Sequence, residues 1–147
     1  MGLINAIAST SSGLQAQRVR MDVVGANVAN IDTTRGPEGG PYQRQIVRFA
    51  AGGGGMPFAQ LMSRFSEQPA NGVVLTQVAT DTTTPNRVVY DPSHLDADAD
   101  GYVELPNIDL VSEMTDLTSA NRSYQANVTV LNAVKQMALR ALDIASR

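Results

Sequence analysis

The chain has 147 residues, 43% of them hydrophobic but only 5% aromatic, with no Trp, no Cys and a formal net charge of −3. That length suits one compact domain or a small domain with appended helices, and a core built from Val, Leu, Ile, Met and Ala favours helix seams over an aromatic cofactor pocket. Missing Cys removes disulfides and thiolate metal sites, and the acidic balance removes the electrostatic footprint of a nucleic-acid binder. The charge is also unevenly spread. Asp81 to Asp116 holds nine acids against one Arg, residues 1–50 five Arg against three acids, and residues 117–147 four basic side chains against one acid. Such a layout favours attraction between neighbouring copies or a solvated acidic loop.

The N-terminus lacks the basic stretch of a secretory signal, since Arg18 is its first cation, and Ala6 stands where myristoylation needs Ser or Thr. Leu3, Ile7, Thr10, Leu14, Gln17, Met21, Val24, Val28 and Ile31 step alternately by four and three, which predicts a helix over about 3–31 with a heptad seam. Gly13, Gly25 and Ser9 to Ser12 weaken its intrinsic propensity, so it requires packing to be ordered. The predicted N-terminal helical unit spans 1–35.

The middle, 36–106, reads as β-rich. Tyr42 to Phe49 predicts a strand, Gly52 to Gly55 a hinge, and Gly72 to Tyr90 a hairpin turning at Asp81 to Asn86. An acidic loop at 91–101 follows. Within it Asp96, Asp98, Asp100 and Gly101 match the first half of an EF-hand calcium loop, but the twelfth position is Asn107 where a bidentate Glu is needed. A solvated acidic turn fits better, and a calcium-binding interaction module is the alternative reading. His94 is the sole His, so multi-His metal sites are excluded and a Ser-His-Asp triad has no Gly-x-Ser-x-Gly context. No catalytic residue, metal site or cofactor is expected.

The C-terminal unit, 107–147, is predicted helical from about 108 to 145, with Asn107 as its cap. Leu110, Met114, Leu117, Asn121, Tyr124, Val128 and Leu131 form its seam, on which Asn121 stands as a polar residue that could fix register or simply a polar edge. Val130, Val134, Met137, Ala141 and Ile144 make a second stripe. Apolar surface on two faces calls for more than one neighbour. The expected packing sets Leu14, Met21, Val24 and Val28 against Leu117, Tyr124, Val128 and Leu131, leaving Val130, Val134, Met137 and Ile144 for adjacent subunits.

Ser12-Gly13-Leu14-Gln15-Ala16-Gln17-Arg18, Met21-Asp22 and Asn27-Val28-Ala29-Asn30-Ile31-Asp32-Thr33-Thr34 together resemble the N-terminal signature of bacterial flagellar rod and hook proteins. Pro41 to Arg44, Tyr90 to His94, Gly101 to Asn107, Glu113-Met114 and Ala120 to Asn127 look like the proximal-rod branch of that family. The resemblance implies an α+β fold whose N- and C-terminal helices pair antiparallel in a coiled-coil-like core, with a small β-rich middle domain outside. It further implies a non-enzymatic subunit exported without a cleaved signal peptide by the flagellar export apparatus into the periplasmic space. There it would join copies of itself, other rod proteins, and the membrane-embedded ring with its rod adaptor, and bind neither nucleic acid nor a small-molecule substrate. The residues expected at the assembly interface are Leu14, Met21, Val24, Asn27, Val28, Asn30, Leu117, Asn121, Tyr124, Val128, Leu131, Val134 and Met137.

Overall fold

A computed structural model describes residues 2–36, 39–52 and 72–145. Helix α1 runs Gly2–Ala29, strands β1 Gln45–Ala51, β2 Val73–Thr80, β3 Arg87–Tyr90 and β4 Tyr102–Leu105 follow, and helix α2 spans Leu110–Ala145. The fold is therefore α+β, with long helices at both ends. Of the expected hinge only Gly52 is described; Gly53 to Gly55 lie outside the described residues.

Each helix carries a side-chain hydrogen bond at one of its ends. The Asn30 amide N–H donates to both Ala26 O and Asn27 O, and its side-chain Nδ2 donates to Ala26 O, closing the last turn of α1. At the start of α2 the cap is Asp109, whose carboxylate accepts from the Ser112 amide at 3.1 Å and the Val111 amide at 3.4 Å. The anion also complements the positive helix end. Asn107, the expected cap, is instead buried, for a reason that lies in the polar network described below.

The helices pack antiparallel. Asn27 on α1 donates to Glu113 on α2, and a Cβ added at Gly13 would meet Asn127 Nδ2 at 3.1 Å. Going back fourteen residues on α1 corresponds to going forward fourteen on α2, two heptads on each. The inward stripe of α2 reads Glu113, Leu117, Ala120, Tyr124, Asn127, Leu131, Val134 and Ala138, all buried or half-buried, in steps of four and three. The expected stripe shares Leu117, Tyr124 and Leu131, but Leu110, Met114 and Asn121 are exposed. Its alternate positions are rotated by one residue. Among the bulky side chains of this stripe stand small residues, with Ala16 and Ala120 buried and Gly13 against Asn127, where the missing side chains permit close approach.

On its other side α1 carries the β1–β2 hairpin. The strands pair antiparallel from Gln45↔Thr80 to Ala51↔Val73 with a bulge between Arg48 and Phe49, and the Gly52 amide donates to Gly72 O at 2.6 Å. The Arg20 guanidinium lies 5.1 Å from the Phe49 ring centroid, and Ser12 Oγ accepts from the Val73 amide at 3.0 Å.

The expected β2–β3 hairpin does not form. β2 pairs with β1, and β3 pairs antiparallel with β4, Arg87↔Leu105 to Tyr90↔Tyr102. The diversion occurs at Asp81. Its amide donates to Arg44 O, which continues the β1–β2 pairing, and its carboxylate accepts the Thr83 and Thr84 amides and hydroxyls at 2.7–3.2 Å. This tight turn sends the chain away from β2. β4 itself carried no signal beyond four residues, Tyr-Val-Glu-Leu.

Gly25 sits inside α1 about one turn before its C-terminal end, exposed, and a Cβ there would meet no atom within 4 Å. Gly25→Ala is expected to stabilise the fold by about 0.5–1 kcal/mol through helix propensity alone. Gly13→Leu, which must displace Asn127, is expected to destabilise it, both read by urea denaturation.

Candidate assembly interface

Assembly depends on which faces the chain consumes internally, and a polar node decides that. Glu113 is fully buried, and its Oε1 accepts from Arg44 Nε at 2.7 Å and pairs with the terminal guanidinium nitrogen at 2.6 Å. Its Oε2 accepts from Asn27 Nδ2 at 3.1 Å. Asn27, 1% exposed, also donates to Gln45 O and accepts from the Gln45 amide and the Tyr42 hydroxyl. All four bonding positions of its carboxamide are used. Burial, and then the Glu113 charge, raise the Tyr42 phenol above its usual range, so it remains a neutral donor.

Asn107 extends the node. Its Oδ1 accepts from the Arg44 amide at 2.9 Å, and its Nδ2 donates to Asp81 O and Thr84 O. One residue stretch, Tyr42 to Gln45, is thus clasped by Asn27 from α1 and by Asn107 and Glu113 from either side of the α2 start. Sequence reading placed Asn27 on the interface between subunits, took Asn107 as the cap of the C-terminal helix, and gave Arg44 and Glu113 no part in a polar network. The available signal was a carboxylate, Glu113, exactly one heptad before Ala120, with Arg44 in the approach to a strand.

The register-setting polar contact is accordingly Asn27 with Glu113. Asn121, open to either a register role or a polar edge, is exposed, and its Oδ1 accepts from Gln125 Nε2 one helical turn on, so it takes no part in the α1–α2 contact within this chain.

Of the expected interface residues, Val24 and Asn27 are buried, and Leu14, Met21, Val28 and Asn30 are half-buried on α1. On α2, Leu117, Tyr124, Val128 and Leu131 are half-buried, and Tyr124 lines a groove with Leu14, Arg18 and Val19. Val134, expected to be left for a neighbour, is buried within the chain because it continues the inward stripe one heptad past Asn127. Met137, 55% exposed, and Asn121 face outward. Val111, Val130, Leu139, Leu142 and Ile144 join them as exposed apolar side chains of α2.

The acidic loop uses its carboxylates locally. Asp91 accepts from the Ser93 hydroxyl and amide, Asp98 from the Asp100 and Tyr102 amides, and Asp96 from Thr34 Oγ1 while pairing with Arg35 at 2.9 Å. Gly101, at φ +83°, has Tyr90 and Pro92 so near that a Cβ would sit 3.0 Å from the ring. Among the described residues no three His, Asp or Glu side chains gather as a metal site, and nothing favours the calcium reading. His94 is exposed and its Nδ1 accepts from the Asp96 amide.

Removing Arg44 would leave Glu113 as an uncompensated buried charge. Arg44→Ala is expected to cost about 3 kcal/mol, and Glu113→Gln in that background to recover part of the loss, giving a large coupling in a double-mutant cycle by urea denaturation. Asp81, Asp91 and Asp109 are all held below the usual carboxylate range, the first by Thr83 and Thr84, the second by Ser93 and the third by the Ser112 amide. Because folding lowers these values, their contribution is complete above about pH 4 and is lost as pH falls through the native values. Thermal unfolding scans should show stability declining on acidification, with a shallower slope in Asp81→Asn.

A family model described as flagella basal body rod protein matches residues 7–37, and one described as flagellar basal body rod FlgEFG protein C-terminal matches residues 99–144. These cover α1 with its cap, and β4 with α2, which are the segments the node joins. The flagellar basal-body rod protein FlgC of Borreliella burgdorferi is 43% identical over 152 residues, with 98% of each chain covered. That of Bacillus subtilis is 42% identical over 98% of this chain and 99% of its own, and that of Salmonella typhimurium 40% identical over 98% of each. With this likeness running through both helices and the strands between them, the chain belongs to the FlgC family of flagellar basal-body rod proteins.

Proposed function

We propose that this chain, a structural subunit of the bacterial flagellar basal-body rod, is built into the rod through the outward faces of its paired terminal helices. The observation that carries this is the unequal length of the helices. Continuing the register set by Asn27 with Glu113 places Gly2, the first described residue of α1, opposite Ala138, so among the described residues nothing of α1 lies beside the last turns of α2. Leu139, Leu142 and Ile144 in those turns are 58%, 70% and 77% exposed. An apolar overhang of this kind needs cover from another chain.

The division of labour follows. The matched heptad steps of α1 and α2 support a coiled-coil-like core, with Leu14, Met21, Val24, Val28, Leu117, Tyr124, Val128 and Leu131 holding the pair together. Met137 and the overhang then meet copies of the chain, other rod proteins, or the adaptor of the membrane-embedded ring. The middle segment forms the outer β domain. Export without a cleaved signal peptide by the flagellar export apparatus, and a place in the basal body within the periplasmic space, complete the reading. Among the described residues no helix is long and apolar enough to cross a membrane, in keeping with a rod rather than a membrane anchor. The glycine and serine content of α1 makes its order depend on packing, which suits a chain that folds as it assembles.

Leu139→Glu with Leu142→Glu tests this directly. The isolated chain should keep its thermal stability within about 0.5 kcal/mol, because both positions are exposed, while its amount in purified basal bodies and the swimming of the cells should fall sharply. Normal incorporation and motility would contradict the proposed interface.

A further inference from the structure

On the β3–β4 hairpin Tyr102 and Glu104 border a groove shared with Thr34, Arg35 and Pro41, but Val88 and Tyr90 beside them meet neither helix nor the other sheet among the described residues. Val88 and Tyr90 are 56% and 64% exposed, Tyr90 packs edge-on against Tyr102 at 5.2 Å, and Leu95 in the connecting loop is 95% exposed. Asp98 and Asp100 flank this apolar tip, within the stretch that carries nine acids to one Arg. An exposed apolar face rimmed by carboxylates selects an apolar surface rimmed by cations.

The chain carries such a surface itself. On α2, Val130, Met137 and Ile144 recur every seven residues along one exposed flank, and Arg122 and Arg140 lie five turns apart beside that row. This C-terminal part of the chain is the one with four basic side chains to one acid. The two surfaces cannot meet within one copy. Asp96, next to Leu95, is held by Thr34 and Arg35 just past the end of α1, which is the N-terminal end of α2, and Met137 lies about 40 Å up the helix from Leu110.

We infer that the β3–β4 hairpin of one copy docks on the basic, apolar flank of the C-terminal half of α2 of a second copy, a head-to-tail contact. Leu95 and Tyr90 pack over Met137 and Val130, and Asp98 and Asp100 both lie toward Arg140, since Arg122 is about 27 Å further down the helix. Because donor and acceptor surfaces differ and sit at opposite ends of the same molecule, the contact propagates instead of closing a two-fold dimer. The inference rests on the assembly reading above and adds to it a role for the middle segment as the arm that reaches the next subunit's helix.

The chain lacks cysteine, so introduced thiols report the contact without background. In the full-length protein at high concentration, Leu95→Cys with Met137→Cys should give, on oxidation, a ladder of disulfide-linked species beyond dimer, while each single variant stops at dimer. Arg140→Glu should lower the yield about threefold, and adding Asp100→Lys should restore it. Only intramolecular linkage, or linkage no stronger than between Leu95→Cys and Gln15→Cys on the exposed side of α1, would overturn the contact. Oxidising basal bodies that contain the double variant separates the two readings. The chain present but unlinked removes this contact and leaves the rod subunit standing, whereas wild-type chain missing from basal bodies removes the rod reading itself.

Discussion

A buried charge governs this molecule. Glu113 sits with no exposed surface between two helices, and that is tolerable only because Arg44 and Asn27 supply three short donors to its two oxygens. Each of the three residues comes from a different part of the chain, so the ion pair cannot form in the helix pair alone. The α1–α2 contact, the strand entry at residues 42–45 and the start of α2 are thereby made mutually dependent. Asn107 carries the same constraint outward to Asp81, where the chain leaves one sheet for the other.

Fixing the register has consequences for what remains exposed. Once Asn27 stands beside Glu113, the stripe from Leu117 to Ala138 is committed to α1, and α2 runs on past the start of α1 with Leu139, Leu142 and Ile144 uncovered. Shifting the helices by one heptad would bury more of the overhang, but would strand Glu113 without its partners. Specificity of register is thus held by polar groups, while the side chains left uncovered are apolar.

The middle segment is held differently. The β1–β2 hairpin lies on α1 through Gln45, Phe49 and Val73, whereas the β3–β4 hairpin is attached at its root and loop by polar contacts to Thr34, Arg35, Gln43 and Asn107. One hairpin stiffens the helical core and the other stands clear of it.

Much of this was legible in the residues. The four-three spacing of apolar side chains located both helices to within two residues at each end, because α-helical periodicity is a local property of the chain. The signature around Asn27 to Thr34 pointed to the family for the same reason, since a contiguous motif needs no tertiary knowledge. What the sequence could not settle was which of two adjacent stripes faces inward: Leu14, Met114 and Val128 outrank Gly13, Glu113 and Asn127 in hydrophobicity, yet close helix packing and a paired carboxylate put the smaller and more polar set at the centre. Strand pairing was likewise beyond local reading. Val73 to Tyr90 has the texture of a hairpin, and only the capture of Asp81 by Arg44 and Asn107, both distant in sequence, sends β2 to β1 and β3 to β4. Local pattern decides which elements exist; contacts between residues tens of positions apart decide which faces meet, and the most demanding of those contacts is a charge that has to be neutralised out of water.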